Sequence, residues 1–442
     1  MIFDETYFGL FATKYLSHRY YFNIHPPLGK MLLAVPAFFR NVKPGFDFVS
    51  GVSYGDFNFL PLRFLPAFLG SVLPLLIYLL VKELGFSKRV AFLSGFMVLL
   101  DNAILVQSRF ILMDIILVFF IFLSLYLFLL SRRFPVFSYK WHLSNIFLAI
   151  SLGTAISIKW TGFGILGIIW FLIVFQDRLF FTFKKEIIVK IGLLFILPLL
   201  LYFLVFAMHF YLLPLSCSKD CGAVLGDDFR ERVRGLSHYE NNSIEQGLFV
   251  KFVETNKAMF ISNFDTETSY PYQSSWYSWP FMARPIKYFE ESYGDTTSFI
   301  YFFGNPFVWW LGIIGVVGYF YLIIKNYFYN FKLKLPQTFY SKNIFILLLG
   351  YFVYTSSFVM VERFTLLYHY LPALIFSIIL LSVFFEGILD MYFRRSGKGV
   401  LCMYIGVLTL ILVGFVYFSP LTYGLPVSTE KYNQMMWLDS WR

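Results

Sequence analysis

The sequence predicts an all-α polytopic membrane protein, for three reasons. Hydrophobic residues make up 58% of the 442 residues and charged residues 14%, whereas soluble domains carry roughly 25% charged residues. Apolar runs recur along the chain at a length that crosses a bilayer, roughly 17 to 25 residues. Lysine and arginine are concentrated in alternate loops between these runs. We therefore attribute the net charge of +10 to membrane topology and expect no nucleic-acid partner.

Ten spans are predicted, and a polar stretch separates the first six from the last four. Their approximate bounds are 60–82, 90–105, 113–131, 143–158, 162–177, 187–212, 303–325, 343–360, 366–386 and 400–418. Five regions are predicted. They are a first outer loop with interfacial helices (1–59), an N-terminal membrane bundle (60–212), a large outer loop (213–302), a C-terminal four-span membrane region (303–418) and an outer C-terminal tail (419–442). In the large loop, Cys217 and Cys221 form either a local disulfide or two free thiols.

The basic loops orient these spans. The set that includes Arg132, Arg133 and Lys140 is assigned to the cytoplasm by the positive-inside rule, which places residues 1–59 on the outer face. Within that segment, 28–39 forms an apolar stripe that is too short to span and suits a helix in the membrane interface. No apolar run precedes the outer segment, so we expect an eleventh, N-terminal span before Met1 in the natural protein.

Ionisable residues at the outer ends of the spans are candidates for function, because charge at membrane depth is costly. Arg63, Asp114 and Lys159 each adjoin an apolar run there. An equal alternative is that each pairs with a neighbour and fixes helix packing. The acidic pair Asp4-Glu5 lies on the same face, where a carboxylate can act as general base towards a hydroxyl while a nearby cation stabilises a departing phosphate.

Nucleotide and metal sites are not indicated. The sequence has neither a G-x-x-x-x-G-K-[ST] loop nor a G-x-G-x-x-G motif, so a cytosolic nucleotide is not expected as the immediate donor, and a lipid-linked donor fits better. The sequence has no D-x-D motif that would indicate a metal site, and the nearest match, 265–267, is DTE. We therefore predict no required metal and no cofactor, although an acidic pair is able to bind a divalent cation.

Several long blocks of the sequence support a family resemblance. They are FDETYFG (3–9), YYFNIHPPLGKML (20–32), LDNAILVQSRFILMD (100–114), SIKWTG (157–162), SSWYSWPFMARPI (274–286), RFTLLYHYLPAL (363–374) and YGLPVSTEKYNQMMWLDSWR (423–442). In this order they resemble the protein O-mannosyltransferases, the dolichyl-phosphate-mannose–protein mannosyltransferases. The resemblance covers nearly the whole chain. It implies a GT-C type helical bundle and inverting transfer of mannose from polyprenyl (dolichyl) phosphate mannose to Ser or Thr hydroxyls of secreted or membrane proteins.

The resemblance also implies roles for individual residues. Asp4 corresponds to the base that takes the proton of the acceptor hydroxyl, and Glu5 to a residue that assists or positions it. Arg63 is implied as a partner of either the donor phosphate or the acidic pair. Further residues are implied to support the donor site or to form a substrate loop: His25, Arg109 and Asp114 for the donor site, and Trp276, Trp279 and Arg284 for the loop.

The large outer loop differs from that of eukaryotic family members, and this difference indicates which kind of member the chain resembles. The loop 213–302 is too short for the MIR domain of eukaryotic members, so the chain resembles a bacterial-like member that uses polyprenyl phosphate mannose. The expected location is the bacterial cytoplasmic membrane with the active site on its outer face, and the endoplasmic reticulum membrane is the alternative. The expected partners are the lipid donor, Ser/Thr-containing proteins and the bilayer, with a dimer left open.

Two other functions remain as alternatives. Another GT-C lipid-phosphate-sugar transferase, with a lipid or glycan acceptor, would need similar chemistry. The absence of a W-W-D-Y-G block argues against an oligosaccharyltransferase. A polytopic transporter is more remote, because the spans show no evident repeat and the charges cluster at one face.

Overall fold

The computed structural model describes residues 1–176, 185–214, 247–264, 270–329, 343–392 and 396–442. Cys217 and Cys221 lie outside these residues. Most of the described chain is helical, because an apolar run can satisfy all its backbone hydrogen bonds within a helix, as a bilayer requires. The helices are α1 Glu5–Leu16, α2 Leu28–Phe39, α3 Leu60–Glu83, α4 Lys88–Leu99, α5 Asn102–Arg109, α6 Asp114–Ser131, α7 Tyr139–Ile158, α8 Phe163–Gln176, α9 Lys185–Leu212, α10 Leu248–Asn263, α11 Pro306–Tyr329, α12 Asn343–Ser356, α13 Leu371–Tyr392, α14 Gly397–Tyr423 and α15 Thr429–Met435.

Among the described residues, seven helices are long and apolar enough to cross a membrane. An eighth span results if α4 and α5, which meet at a bend of 57°, count as one. The apolar helices around α8 and α12 are shorter than a full span. The prediction of a mostly helical, multi-pass membrane protein is confirmed, whereas the count of ten spans is not confirmed by the described residues.

The predicted helix at 28–39 is present with the predicted bounds. Leu33, Ala34 and Ala37 are buried on one side of α2, while Phe38 and Phe39 are exposed at its end. This division is typical of an amphipathic helix that packs on protein with one face. Its position in a membrane interface stays a prediction.

A small antiparallel sheet corrects the all-α prediction. Its strands are β1 Ile286–Tyr293, β2 Thr296–Phe302 and β3 Pro426–Ser428, in the order β1-β2-β3. A two-residue turn joins β1 to β2, and Gly294 supplies the positive φ, 59°, that such a turn needs at its first position. Lys287 pairs with Tyr301 and Phe289 with Ile300, which leaves Tyr288 as the extra residue of a β-bulge.

Residues 1–59 pack over the ends of the bundle helices. α2 contacts α1, α3 and α7, and α3 lies against α4, α5 and α6. Gly70 on α3 allows the close approach to α5, since an added Cβ would come within 2.2 Å of Ser108 Oγ. Polar contacts between Glu5, Arg63 and Ile111 and between Asp114 and Lys159 bring the N-termini of α1, α3 and α6 and the C-terminus of α7 together at one end of the bundle.

Candidate active site

Glu5 and Arg63 form an ion pair at this end of the bundle, with Glu5 buried and Arg63 partly exposed. Arg63 Nε donates to Glu5 Oε1 at 2.7 Å and Arg63 Nη2 donates to Oε2 at 2.9 Å. The backbone N–H of Ile111 donates to Glu5 Oε1 at 3.1 Å. Glu5 is fully buried, and the guanidinium lies over the rings of Phe59 and Phe110 at 4.6 and 4.7 Å. Of the two partners expected for Arg63, the structure places it on the acidic pair.

Asp4, the neighbouring carboxylate, has a different environment. It stands at the N-terminus of α1, and its side chain makes no hydrogen bond or ion pair within the described part of the chain. Burial by surrounding protein raises the pKa of Asp4 to about 7; the positive charges of Lys159 and Arg363 oppose this shift and the negative charge of Asp114 adds to it. Asp4 retains partial exposure. It is therefore a carboxylate that can accept a proton near neutral pH.

A buried ion pair lies beside Asp4. Lys159 Nζ donates to Asp114 Oδ1 at 2.7 Å, and both side chains are buried. Lys159 Nζ also lies 5.2 Å from the ring centre of Tyr368. The pair joins the end of α7 to the start of α6, so it fixes helix packing and at the same time places a cation close to the Asp4 carboxylate.

Arg363 is the second cation near Asp4. It lies in the segment that leads into α13, and among the described residues its buried Nε has no hydrogen-bond partner. Burial lowers the pKa of Arg363, while the negative charge of Asp4 opposes the shift. A buried donor without an acceptor is uncommon in a folded protein. A phosphate oxygen would satisfy it with a charge-assisted hydrogen bond.

Aromatic rings fix the backbone next to Asp4. Phe3 stacks on Tyr288 with ring centres 4.5 Å apart, and it meets Tyr368 edge-on at 6.2 Å. The Tyr288 hydroxyl accepts a hydrogen bond from Gln107 Nε2 at 2.8 Å. Because a β-bulge commonly re-aims a side chain next to a functional site, the bulge at Tyr288 explains how a strand residue reaches this position.

Lys30 holds the His-Pro-Pro loop in shape. Its ammonium donates to Asn23 Oδ1 at 3.0 Å, to the carbonyl of His25 at 2.7 Å and to the carbonyl of Pro26 at 2.8 Å. Lys30 is fully buried, and burial lowers its pKa well below the usual value. Three acceptors match the three donors of an ammonium group, so the loop is fixed from within.

His25 lies on the loop that Lys30 shapes. Burial, followed by the positive charges of Lys159 and Arg363, lowers the pKa of His25 well below its ordinary value. The ring is therefore neutral at pH 7. His25 consequently adds no positive charge to the site and can supply one donor and one acceptor.

Arg109, predicted as a supporting residue, contacts the C-terminal helix. Its Nη1 donates to the carbonyl of Thr422 at 2.6 Å, and its guanidinium lies 4.7 Å from the ring centre of Tyr423. These contacts join α5 to the end of α14. They show Arg109 in contact with the scaffold and not with Asp4.

The three predicted substrate-loop residues differ in burial. Trp279 is fully buried, donates from Nε1 to Ser274 and stacks over His369 with ring centres 5.9 Å apart. Trp276 is half-buried, and Arg284 is exposed. Trp279 therefore packs the loop against the segment that carries Arg363, whereas Trp276 and Arg284 lie nearer the surface.

Sequence reasoning assigned no role in the site to Lys30, Arg363, Tyr288 or Tyr368. The sequence does contain a signal for Lys30, because a lysine inside an apolar interfacial stripe needs buried hydrogen-bond acceptors. Arg363 heads the block RFTLLYHYLPAL, next to an apolar run. No pattern distinguishes two tyrosines among 31.

The acidic pair is poorly arranged for a metal ion. Both Glu5 oxygens already accept hydrogen bonds from Arg63, so only Asp4 offers unoccupied carboxylate oxygens. Among the described residues, no three His, Cys, Asp or Glu side chains are grouped as metal ligands.

Comparison with solved structures identifies the class of fold. The chain resembles the Saccharomyces cerevisiae protein O-mannosyltransferase Pmt1-Pmt2 complex bound to the sugar donor, with a TM-score of 0.87 and 20% identity, over 100% of this chain and 89% of that chain. The fold is therefore that of a GT-C type membrane protein, with the candidate site at the helix ends beneath residues 1–59.

Two family models identify the family. The model described as dolichyl-phosphate-mannose-protein mannosyltransferase matches residues 1–214, and that described as the C-terminal four TMM region of protein-O-mannosyltransferase matches residues 248–441. The chain belongs to the protein O-mannosyltransferase family, which confirms the resemblance seen in the sequence.

Curated relatives agree with this assignment. Dolichyl-phosphate-mannose–protein mannosyltransferase 1 of Candida albicans is 32% identical over 53% of this chain and 28% of its own length. The protein of the same name from Saccharomyces cerevisiae is 23% identical over 100% of this chain and 80% of its own length. The chain spans less than half the length of several curated relatives that it matches.

Proposed function

We propose that this protein transfers mannose from polyprenyl or dolichyl phosphate mannose to Ser or Thr hydroxyls of proteins, with inversion at the anomeric carbon. One observation supports this most strongly: Asp4 has a carboxylate without a hydrogen-bond partner among the described residues, a pKa of about 7, and Lys159 and Arg363 close by. A proton acceptor beside two cations suits a hydroxyl attack that expels a phosphate.

The proposed step is a single displacement. Asp4 takes the hydroxyl proton as the acceptor oxygen forms a bond to the anomeric carbon. The bond from that carbon to the phosphate oxygen breaks, and the phosphate leaves with the electron pair. Arg363 and Lys159 stabilise the negative charge on the departing phosphate.

Glu5, Arg63 and Asp114 act as positioning residues in this proposal. The Glu5–Arg63 pair fixes the first turn of α1 on α3, so the backbone of Asp4 has one position. Asp114 holds the Lys159 ammonium. His25 stays neutral and contributes a hydrogen bond to the donor.

The candidate site lies at the helix ends that the positive-inside rule assigns to the outer face. We infer a site on the outer side of the bacterial cytoplasmic membrane, with the lumenal side of the endoplasmic reticulum as the alternative. The complex of two chains named in the matching structure supports a test for a dimer.

A transfer assay tests the function. Membranes that contain the full chain are given radiolabelled polyprenyl phosphate mannose and a Thr-containing peptide. We expect labelled peptide. Label found only in lipid or glycan would favour the other GT-C reaction, and label carried across the membrane without transfer would favour a transporter.

Transfer is expected to rise with pH through the pKa of Asp4. The deprotonated carboxylate is the active form, so the protonated fraction that grows below about pH 7 is inactive. In that range kcat/KM should fall about tenfold per pH unit and should level off above it. A profile of kcat/KM for the peptide that is flat, or that falls as pH rises through neutrality, would contradict this assignment.

Arg363→Gln is expected to weaken donor binding and lower transfer by about 10- to 100-fold, which is the range for losing a hydrogen bond to a charged group. Titration with radiolabelled donor measures the binding. Arg19→Gln, at an exposed arginine of the first outer segment, serves as the control and should bind normally. Equal affinity in the two variants would remove Arg363 from the donor site.

Removal of divalent cations is expected to leave transfer within about twofold of its normal rate. The reason is that Arg63 occupies both oxygens of Glu5, so the acidic pair cannot chelate with two carboxylates. The assay is repeated after dialysis against EDTA. Loss of activity that Mn²⁺ or Mg²⁺ restores would show that the reaction needs a cation.

A further inference from the structure

Within the described part of the chain, no strand pairs with one edge of the three-stranded sheet, near the candidate site. β1 is the first strand in the order β1-β2-β3, so only one of its sides pairs with β2. Among the described residues, no backbone hydrogen bond reaches β1 from outside the sheet. Its other side therefore presents a row of unpaired N–H and C=O groups, which is a template for pairing with another chain.

The inner end of β1 packs beside the residue that precedes Asp4. Tyr288 is the bulge residue near the start of β1, and its ring stacks on Phe3, the residue before Asp4. From Tyr288 the strand runs outward to Tyr293, which is 52% exposed. These five steps cover about 17 Å at 3.3 Å per residue. A strand that pairs along this edge would end at the bulge, within reach of the candidate base.

The charges along the edge are mainly acidic. Glu290 and Glu291 on β1 and Asp295 in the turn are exposed. Lys287, the one basic residue of β1, is bonded to Glu290. An occupant that carries basic residues would complement this edge, and an occupant that carries acidic residues would be repelled.

We propose that the acceptor polypeptide docks in extended form as an added strand on β1, and that this places its Ser or Thr hydroxyl at Asp4. The inference rests on the proposed mannosyl transfer and adds how the acceptor is recognised. Main-chain hydrogen bonds supply affinity without requiring a particular acceptor sequence, as in other cases of strand addition. The acidic edge favours acceptors with basic flanking residues, and a folded acceptor without an extended segment is excluded.

The first test uses acceptor peptides with single backbone N-methyl groups. The full-length protein in membranes receives polyprenyl phosphate mannose and a set of peptides that contain one Thr, each methylated at a different position beside it. An added strand points alternate N–H groups at its partner. Methylation at alternate positions should therefore lower kcat/KM about tenfold, and methylation at the intervening positions by no more than about twofold.

The outcomes separate this inference from the proposed function. If the unmethylated peptide is not mannosylated by the unsubstituted protein, the proposed function fails and this inference with it. If that peptide is mannosylated but losses are equal at neighbouring positions, or absent throughout, docking on β1 is overturned and the function stands.

A charge-reversal test addresses the edge itself. The unsubstituted protein should prefer a Lys-flanked peptide over a Glu-flanked one by about two- to fivefold, which is the size of exposed ion-pair effects. Glu291→Lys should reverse this preference. Glu430→Lys, at an exposed residue that follows β3 at the opposite edge, should keep it. Melting temperatures in detergent establish that both variants are folded, and an unchanged preference in Glu291→Lys would overturn the proposal.

Discussion

Asp4→Asn is expected to lower mannosyl transfer by about 10² to 10⁴-fold, the usual contribution of a general base. The amide keeps the shape of the carboxylate but cannot accept the hydroxyl proton. Donor binding should change little, because Arg363 and Lys159 keep their positive charges. Transfer to a Thr peptide and binding of radiolabelled donor, measured on the same membranes, separate the two effects.

Asp47→Asn is the matched control for this variant. Asp47 belongs to the same N-terminal segment, but its side chain is exposed. We expect its variant to work at nearly the normal rate. If Asp4→Asn also kept a near-normal rate while Glu5→Gln abolished transfer, the roles of the two carboxylates would be exchanged.

The helical bundle could be predicted from the sequence because its signal is local. Each span is an apolar run of suitable length. Every second loop is rich in lysine and arginine, and these loops orient the spans. This also predicts which ionisable residues share a side: Arg63, Asp114 and Lys159 were all assigned to the same helix ends. In the structure, Asp114 and Lys159 form an ion pair, and Arg63 binds Glu5.

The pairing of these residues could not be predicted, because it depends on how each helix is rotated. A helix that is apolar on all sides gives no sequence signal for its rotation, and α6, the helix of Asp114, is such a case. The family resemblance therefore allows two partners for Arg63, the donor phosphate or the acidic pair. Only the three-dimensional structure shows that Arg63 contacts Glu5.

The sheet was missed for a related reason. β2 joins β1 through a short turn, but its other neighbour, β3, lies more than a hundred residues further along the chain. Strand stability depends on such cross-strand neighbours, which local propensity does not contain. The bulge at Tyr288, which brings a tyrosine to Phe3, is likewise a property of the pairing and not of the strand sequence.

Arg63→Ala is expected to destabilise the protein by about 3 to 5 kcal/mol, the typical result of removing one partner of a buried ion pair. Glu5 is fully buried, and without Arg63 its carboxylate would keep only the N–H of Ile111 as a donor. Thermal unfolding in detergent measures the change. Transfer should fall as well, because α1 would no longer fix the backbone of Asp4.

A second substitution separates the charge effect from lost packing. In the double variant Arg63→Ala with Glu5→Gln, position 5 no longer carries a buried charge without a partner, so part of the lost stability should return. Lys287→Ala is the control at an exposed ion pair, with side chains 32% and 46% exposed, and should cost less than about 1 kcal/mol. If the double variant were no more stable than Arg63→Ala alone, the cost would come from packing of Arg63 against Phe59 and Phe110. The buried carboxylate would then not be its source.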